Sequence, residues 1–599
     1  MMDSRQKWKR SKRMNKKEMD SNSNSNNNKD SSETHRVLVL QGGGALGAYE
    51  AGVYDVLYFW IKKDQDIANP LNKHKIFDVV AGTSIGAINA AILVSYVMEN
   101  HGSWQGSTHK LLDFWEHVSS TPDLINYWPY WSNWPFPWNE KSWMESWNRR
   151  GETDHNIASG EAARRYYCAK ELMVHGAPNF FSKPTKTNDN RFLDDIFPFA
   201  GNIWYKYSNK PLIHSIKKFV TKFPIATGIG QPRLLLVSVD VKTGTTVTFD
   251  SYSKPKEGRD YKYENREDPS YNFNISYDEG IMPEHLLASA SVPVNFDYTH
   301  VPTEYDYSSG DGEEKDYSGI ACNDNKTNED NILRKKITTR CCWDGGLLSN
   351  SPLREVIGAH KQFWELERKT KDENIKTSSW NEFSKGNKFD IPNLQVYIVD
   401  LWPSKEEEIP NDHDKVLDRK NDITYQNKTD YDQKVAVFVS DYIDLVEKIG
   451  DIAVEAIDSI NDEDKKKTLT DSFDALLVHD AKSKQRDGNP RKYQDLIKGR
   501  FDLDTAFQLE RTDDPDTISN KWFDLSKTTI RKLIDDGRVQ TLKNLYKKEE
   551  KEEKKNGKNH AQQQLRKFID TVEKSRIDCE IESHHANFLI ELAQKYRIK

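Results

Sequence analysis

The chain is poor in cysteine. It has five, at positions 168, 322, 341, 342 and 579, and they form no paired spacing. That pattern indicates neither a disulfide framework nor a zinc site and favours a reducing compartment. Adjacent Cys341 and Cys342 read as small buried residues rather than a redox pair. No apolar run reaches the roughly 20 residues needed to span a bilayer; the longest, Gly86 to Met98, suits a buried helix. The N-terminus is basic (Arg5, Lys7, Lys9, Arg10, Lys12, Arg13, Lys16, Lys17) but no apolar segment follows it, so it is not a signal peptide. An excess of positive charge is also missing. The net charge of -7 argues against nucleic acid as the main partner. No internal repeat is present.

The 599 residues suffice for two to four domains. A hydrophobic content of 36% sustains a globular core, while 30% charged residues leave much of the chain as surface, loop or tail. Residues 1–34, basic and then Ser/Asn-rich, read as a disordered tail whose charge would suit anionic lipid. Strand and helix patterns then follow one another to about residue 405. Strands are expected at Arg36–Leu40, Ile76–Ala81 and Leu394–Asp400, the last closing the sheet, and a hairpin at Arg233–Val241 and Thr245–Phe249. Insertions interrupt this region at about 120–230 and 303–330. The first holds Trp128, Trp131, Trp134, Trp138, Trp143 and Trp147 among three prolines, which suits a lid, an acyl-chain pocket, a membrane-docking loop or a loop stapled to the core by its own aromatics. Residues 406–599 read as mainly helical. There Val435, Phe438, Val439, Tyr442, Leu445, Val446 and Ile449 recur at helix spacing, as in a packing appendage or a partner-binding arm.

Two glycine turns carry the chemistry. Gly82-Thr83-Ser84-Ile85-Gly86 lies between a strand and a helix, the context in which Gly-x-Ser-x-Gly presents a serine nucleophile. The glycines at 82 and 86 leave room for a sharply turned backbone. Earlier, Gln41-Gly42-Gly43-Gly44-Ala45-Leu46-Gly47 also joins a strand to a helix. Gly42, Gly44 and Gly47 fit a dinucleotide fingerprint, but the second strand ends without the acid that would hold a ribose. The alternative is an oxyanion hole, in which the amides of Gly42, Gly43 and Gly44 at a helix start face Ser84. A serine needs a base. Asp344, in Trp343-Asp344-Gly345-Gly346, is one candidate, although Asp-Gly is also an ordinary turn. His360, His413 and His479 are others.

Taken together, the Gly-Gly-Gly-x-x-Gly turn, the Gly-x-Ser-x-Gly elbow and the later Asp-Gly-Gly at 344–346 resemble the patatin-like phospholipase family. Ala288-Ser289-Ala290-Ser291-Val292-Pro293 resembles that family's Ala-Ser-x-x-x-Pro stretch. Ser349-Asn350-Ser351-Pro352 resembles its Asn-x-Pro continuation. The resemblance covers roughly residues 35–405 and leaves the tail and the C-terminal part unexplained. It implies a three-layer α/β/α domain with a central, mostly parallel sheet, followed here by a C-terminal helical region. It further implies a Ser84–Asp344 dyad without a catalytic histidine, an oxyanion hole at Gly42–Gly44, no metal and no cofactor. The substrate would be a phospholipid or related lipid ester. Two positions depart from the family pattern: Gln41 stands where Asp is common and Leu46 where Arg is common. A cytoplasmic protein with peripheral membrane contact fits this reading, and the oligomeric state stays open. Acyl transfer through the same acyl-enzyme, nucleotide binding at the first turn, and a membrane-bound interaction protein are the competing functions.

Overall fold

Short runs of Val, Leu and Ile form the strands, and burial on both faces explains their near-continuous apolar character. The computed structural model describes residues 33–64, 75–121, 160–183, 205–252, 273–276, 280–302, 339–371, 391–406, 408–484, 490–497, 501–512, 517–556 and 559–597. The Trp-rich segment, the basic tail up to residue 32 and the acidic insertion at 303–330 lie outside them.

β1 (Thr34–Leu40) leads through Gln41–Gly43 and a single 3-10 turn (Gly44–Leu46) into α1 (Gly47–Lys62). β2 (Val79–Thr83) ends at Ser84, from which α2 (Ile85–Glu99) departs. Three helices follow, α3 (Ser107–Val118), α4 (Gly160–His175) and α5 (Lys210–Phe219). Next come β3 (Arg233–Asp240), β4 (Thr245–Asp250), β5 (Phe273–Ser276), α6 (Pro283–Ala290), β6 (Thr299–Pro302) and β7 (Thr339–Asp344). α7 (Leu353–Lys371) and β8 (Asn393–Asp400) complete the region of family resemblance. The C-terminal part holds α8 (His413–Tyr425), α9 (Asp430–Asp458), α10 (Glu463–Leu477) and a small hairpin of β9 (Asp480–Lys484) and β10 (Pro490–Lys492). It ends with β11 (Leu503–Glu510), α11 (Lys527–Asn556), α12 (His560–Ile577) and α13 (Ser583–Arg597).

The main sheet runs β11-β8-β1-β2-β3-β4-β5, with β7 on β3 and β6 on β7. The five strands from β11 to β3 are parallel neighbours, as are β4 and β5. Alternation in β1 sorts its side chains. Leu38 and Leu40 enter a large core with α1, α2 and the C-terminal helices. Val37 and Val39 enter a smaller one with Leu353, Val356 and Ala359 of α7. The result is the expected three layers around a mostly parallel sheet.

Two sequence expectations change here. The strand at Leu394–Asp400 does not close the sheet, because β11 pairs beyond it in parallel, Leu503 opposite Leu394 through Glu510 opposite Asp400. Cys341 is disulfide-bonded, although the cysteine spacing gave no sign of it; Cys168, Cys342 and Cys579 are free thiols.

Candidate active site

β3 explains how two residues 260 positions apart come together. β2 runs parallel to it from Arg233 to Val237, where Thr83 is the last paired residue. β7 runs antiparallel to it from Asp240 back to Ser238, where Asp344 is the last paired residue. The two strands therefore approach end to end along one edge of β3. Ser84 follows the end of one, and Asp344 is the end of the other. The fit at this junction is tight: a Cβ on Gly345 would lie 2.3 Å from the Val237 carbonyl oxygen and 3.0 Å from Thr83 Cγ2.

Ser84 has φ 56° and ψ −124°, a left-handed conformation that costs a non-glycine residue of order 1–3 kcal/mol. The elbow tolerates it because the positions two residues to either side, Gly82 and Gly86, carry no side chains. A Cβ on Gly82 would sit 2.2 Å from the Gly86 carbonyl oxygen, and one on Gly86 2.5 Å from that of Leu40. The Ser84 amide donates to Ser289 Oγ at 2.9 Å, and that hydroxyl donates to the Val237 carbonyl at 2.6 Å. Ser289 thus pins the elbow to β3.

Asp344 is buried. Its Oδ1 accepts the Gly346 amide at 2.6 Å, and its Oδ2 has no partner of strict hydrogen-bond geometry. The Ser84 hydroxyl still acts on this carboxylate in the direction of the charged form, as does the Gly346 amide. Burial outweighs both and lifts the pKa to about 6. Catalytic hydrogen bonds are often loose before substrate arrives.

The glycine turn lines the same cleft as Ser84 and Asp344. A Cβ on Gly42 would lie 2.9 Å from Ser84 Cβ, so only glycine permits the approach. The Gly42 amide donates to Asn350 Oδ1 at 3.1 Å, so it is already committed. The amides of Gly43 and Gly44 carry no hydrogen bond among the described residues. Asn350 Nδ2 in turn donates to the carbonyls of Gly42 and Tyr425, and Trp402 Nε1 also donates to the Gly42 carbonyl. Gly47 stands at the start of α1, where its carbonyl accepts from Asn89 Nδ2 at 3.1 Å. That bond ties the turn to α2. Ser289, Asn350 and Asn89 were not assigned as site residues from the sequence. The first two fall within the Ala-Ser-x-x-x-Pro and Asn-x-Pro stretches, which is the signal that marks them; Asn89 carries none.

The two departures from the family pattern are both accommodated. Gln41 is buried, donates to Ser351 Oγ and the Tyr425 carbonyl, and accepts the amides of Leu401 and Trp402. An aspartate carboxylate could not donate. Leu46 is simply part of the core.

None of the three candidate histidines lines the cleft. His360 is buried against the Pro392 carbonyl, and burial pushes its pKa down to about 3. His413 opens α8, and His479 is exposed on the loop before β9. The cleft itself, about 830 Å³ including its open mouth, is lined mainly by apolar groups such as Ile88, Phe181, Leu212, Phe296, Trp522 and Phe523. Exposed Leu347 and Val294 stand at or beside its lining. Among the described residues one acidic and histidine group could hold a metal, Glu549, Glu552 and His560, and it lies on α11 and α12 away from the cleft. No described helix is long and apolar enough to cross a membrane.

No curated protein matches the chain. Among solved structures, VipD from Legionella pneumophila aligns with 11% identity and a TM-score of 0.19 over 94% of this chain and 86% of that one. The family model for patatin-like phospholipase matches residues 38–357, more than half of the 599. With both glycine turns and the Asp-Gly-Gly loop inside that match, the chain belongs to the patatin-like phospholipase family, whose general activity is lipid acyl hydrolysis.

Proposed function

We propose that this protein hydrolyses acyl esters of phospholipids or related lipids through a Ser84–Asp344 dyad. Ser84 Oγ forms a bond to the acyl carbonyl carbon while its proton passes to Asp344. The oxyanion is held by the amides of Gly43 and Gly44. Collapse breaks the ester C–O bond, and the departing alcohol takes the proton back from Asp344. The same carboxylate then accepts a proton from water as its oxygen attacks the acyl-enzyme carbonyl; the bond from that carbon to Ser84 Oγ breaks, Ser84 Oγ takes the proton back from Asp344, and the fatty acid is released. One observation carries this reading: a serine held at φ 56° and a buried aspartate with an unpartnered oxygen line one apolar cleft. A carboxylate with a pKa near 6 is ionised at neutral pH yet basic enough to accept a proton. The aromatic and aliphatic lining suits an acyl chain.

A fluorophosphonate probe tests the proposal. It should label wild type at Ser84 and leave Ser84→Ala unlabelled, and a lipid-ester panel should lose turnover in the same variant. Labelling that persists in Ser84→Ala, or an unchanged ester profile, would place the nucleophile elsewhere.

A further inference from the structure

α9 is a 29-residue helix with an apolar face that the described residues leave exposed. One face is internal. Ile443 packs with Leu477 in a small core that also takes in Val446, Val454 and Phe473. Ala436 packs on the core beneath α7, and Ser440 Oγ donates to the Phe501 carbonyl at 2.8 Å. The other face is open. Tyr431, Val435, Phe438, Tyr442, Leu445, Ile449 and Ile452 are each 38–75% exposed. Their separations alternate four and three without a break, the a/d signature of a left-handed two-helix seam. A single surface helix shows scattered apolar residues; a continuous stripe of this length marks an interface.

The charges beside the stripe select its occupant. With Val435, Tyr442 and Ile449 at a, the g positions are Lys434, Asp441, Lys448 and Glu455, alternating in sign. In an antiparallel pair the g residues of one helix face those of the other. Pairing two copies so that the whole seam is covered sets Val435 against Ile452, Phe438 against Ile449 and Tyr442 against Leu445 of the other helix. That register brings Lys434 to Glu455 and Asp441 to Lys448, so the two-fold axis generates four attractive contacts. A slip of one heptad either way opposes Asp441 to Glu455 and Lys448 to itself, or Lys434 to Lys448 and Asp441 to itself. A parallel pair would set the g residues against Val439, Val446 and Ala453 and gain no ion pairs. Lys448 already pairs with Asp444 at 2.5 Å, but that contact is largely exposed and weak. An anionic membrane is a poor occupant, because α9 carries eight acidic residues against two lysines.

We infer that α9 is a self-association helix, and that a second copy of this chain docks on it antiparallel across a two-fold axis. Such an isologous contact closes on itself and yields a dimer. Sedimentation equilibrium on the full chain should therefore show a dimer. Two exposed charge variants then test the register. Lys434→Glu with Lys448→Glu makes the g row wholly acidic; Asp441→Lys with Glu455→Lys makes it wholly basic. Each should run as a monomer with an unchanged circular-dichroism spectrum, and an equimolar mixture should form a heterodimer. A wild-type chain that stays monomeric at its highest soluble concentration would overturn the inference. So would charge variants that remain dimeric alone, or a mixture that fails to associate.

Discussion

At the residue scale, Ser84 is held in a conformation its own backbone disfavours. Replacing it with Ala removes the hydroxyl but keeps the strain; replacing it with Gly removes both. Ser84→Gly should therefore be inactive like Ser84→Ala yet more stable than it by about 1 kcal/mol, read from denaturant midpoints. Equal stability would mean that the elbow is not strained. Asp344 makes a second prediction, in which activity and stability part ways. Burial lifts its pKa from 3.8 to about 6, so the folded state binds a proton more readily than the unfolded one. Below pH 3.8 both states are protonated and the aspartate costs nothing. As pH rises through 6 the carboxylate ionises in place, and stability is lost, by an amount of order 3 kcal/mol. Asp344→Asn should thus abolish turnover while raising the melting temperature at pH 8, and that gain should vanish near pH 4. An Asn variant no more stable than wild type at pH 8 would contradict the buried-charge account. Wild-type kcat should in turn fall as pH drops through about 6, since the base must be ionised. Both residues were legible in the sequence because glycines flank them, and glycine spacing survives in the linear order. Their supports were less so. Ser289 and Asn350 act through contacts separated by 205 and 308 residues, and a serine or asparagine in isolation carries no mark of such a partner.

At the element scale, the contact that most shapes the region behind the site is a crossing of α1 and α11. Two glycines make it possible. A Cβ on Gly52 would lie 1.9 Å from the Ile534 carbonyl oxygen, and one on Gly537 2.3 Å from that of Tyr49. The helices therefore touch backbone to backbone. Beside the crossing, Asp55 is fully buried; burial opposes its charge, but His585 and Arg538 more than offset this and hold its pKa below the usual range. Arg538 Nε reaches its Oδ2 at 2.8 Å, and His585 Nε2 reaches the same oxygen. Gly537→Ala must push α11 away from α1, and overpacking of this kind costs about 1–3 kcal/mol. A loss of that size in chemical denaturation, with kcat for residual folded enzyme retained, is the expected outcome; a neutral Gly537→Ala would show that the helices can separate freely. This crossing was invisible in the sequence. Every residue of α1 is buried, so the helix shows no polar stripe to indicate which face meets what. Strand positions were clearer, because a buried strand is a short apolar run bounded by turn residues.

At the scale of the whole molecule, the C-terminal part is built into the catalytic domain. The family resemblance ends near residue 405, and amphipathic helices beyond that point look like an appendage when read alone. The sequence pattern could not reveal that β11 joins the sheet beside β8, because parallel pairing between distant strands leaves no local trace. Nor could it reveal that Tyr425, Trp522, Phe523 and Leu525 help to line the cleft that holds Ser84 and Asp344. The energetic consequence follows from burial. Leu533, Leu542, Leu565, Phe568 and Leu589 belong to the same core as Leu57, Phe59 and Ile92. Cutting the chain at residue 405 would expose α1, leave β8 as an unpaired sheet edge, and remove one side of the cleft. An exposed apolar helix and a bare edge strand favour aggregation. Expression of residues 35–405 alone should therefore give insoluble or molten protein that fluorophosphonate does not label, whereas co-expression with residues 406–599 should restore soluble, labelled complex. A soluble and active 35–405 fragment would show that the catalytic domain stands by itself and that the C-terminal helices only cover it.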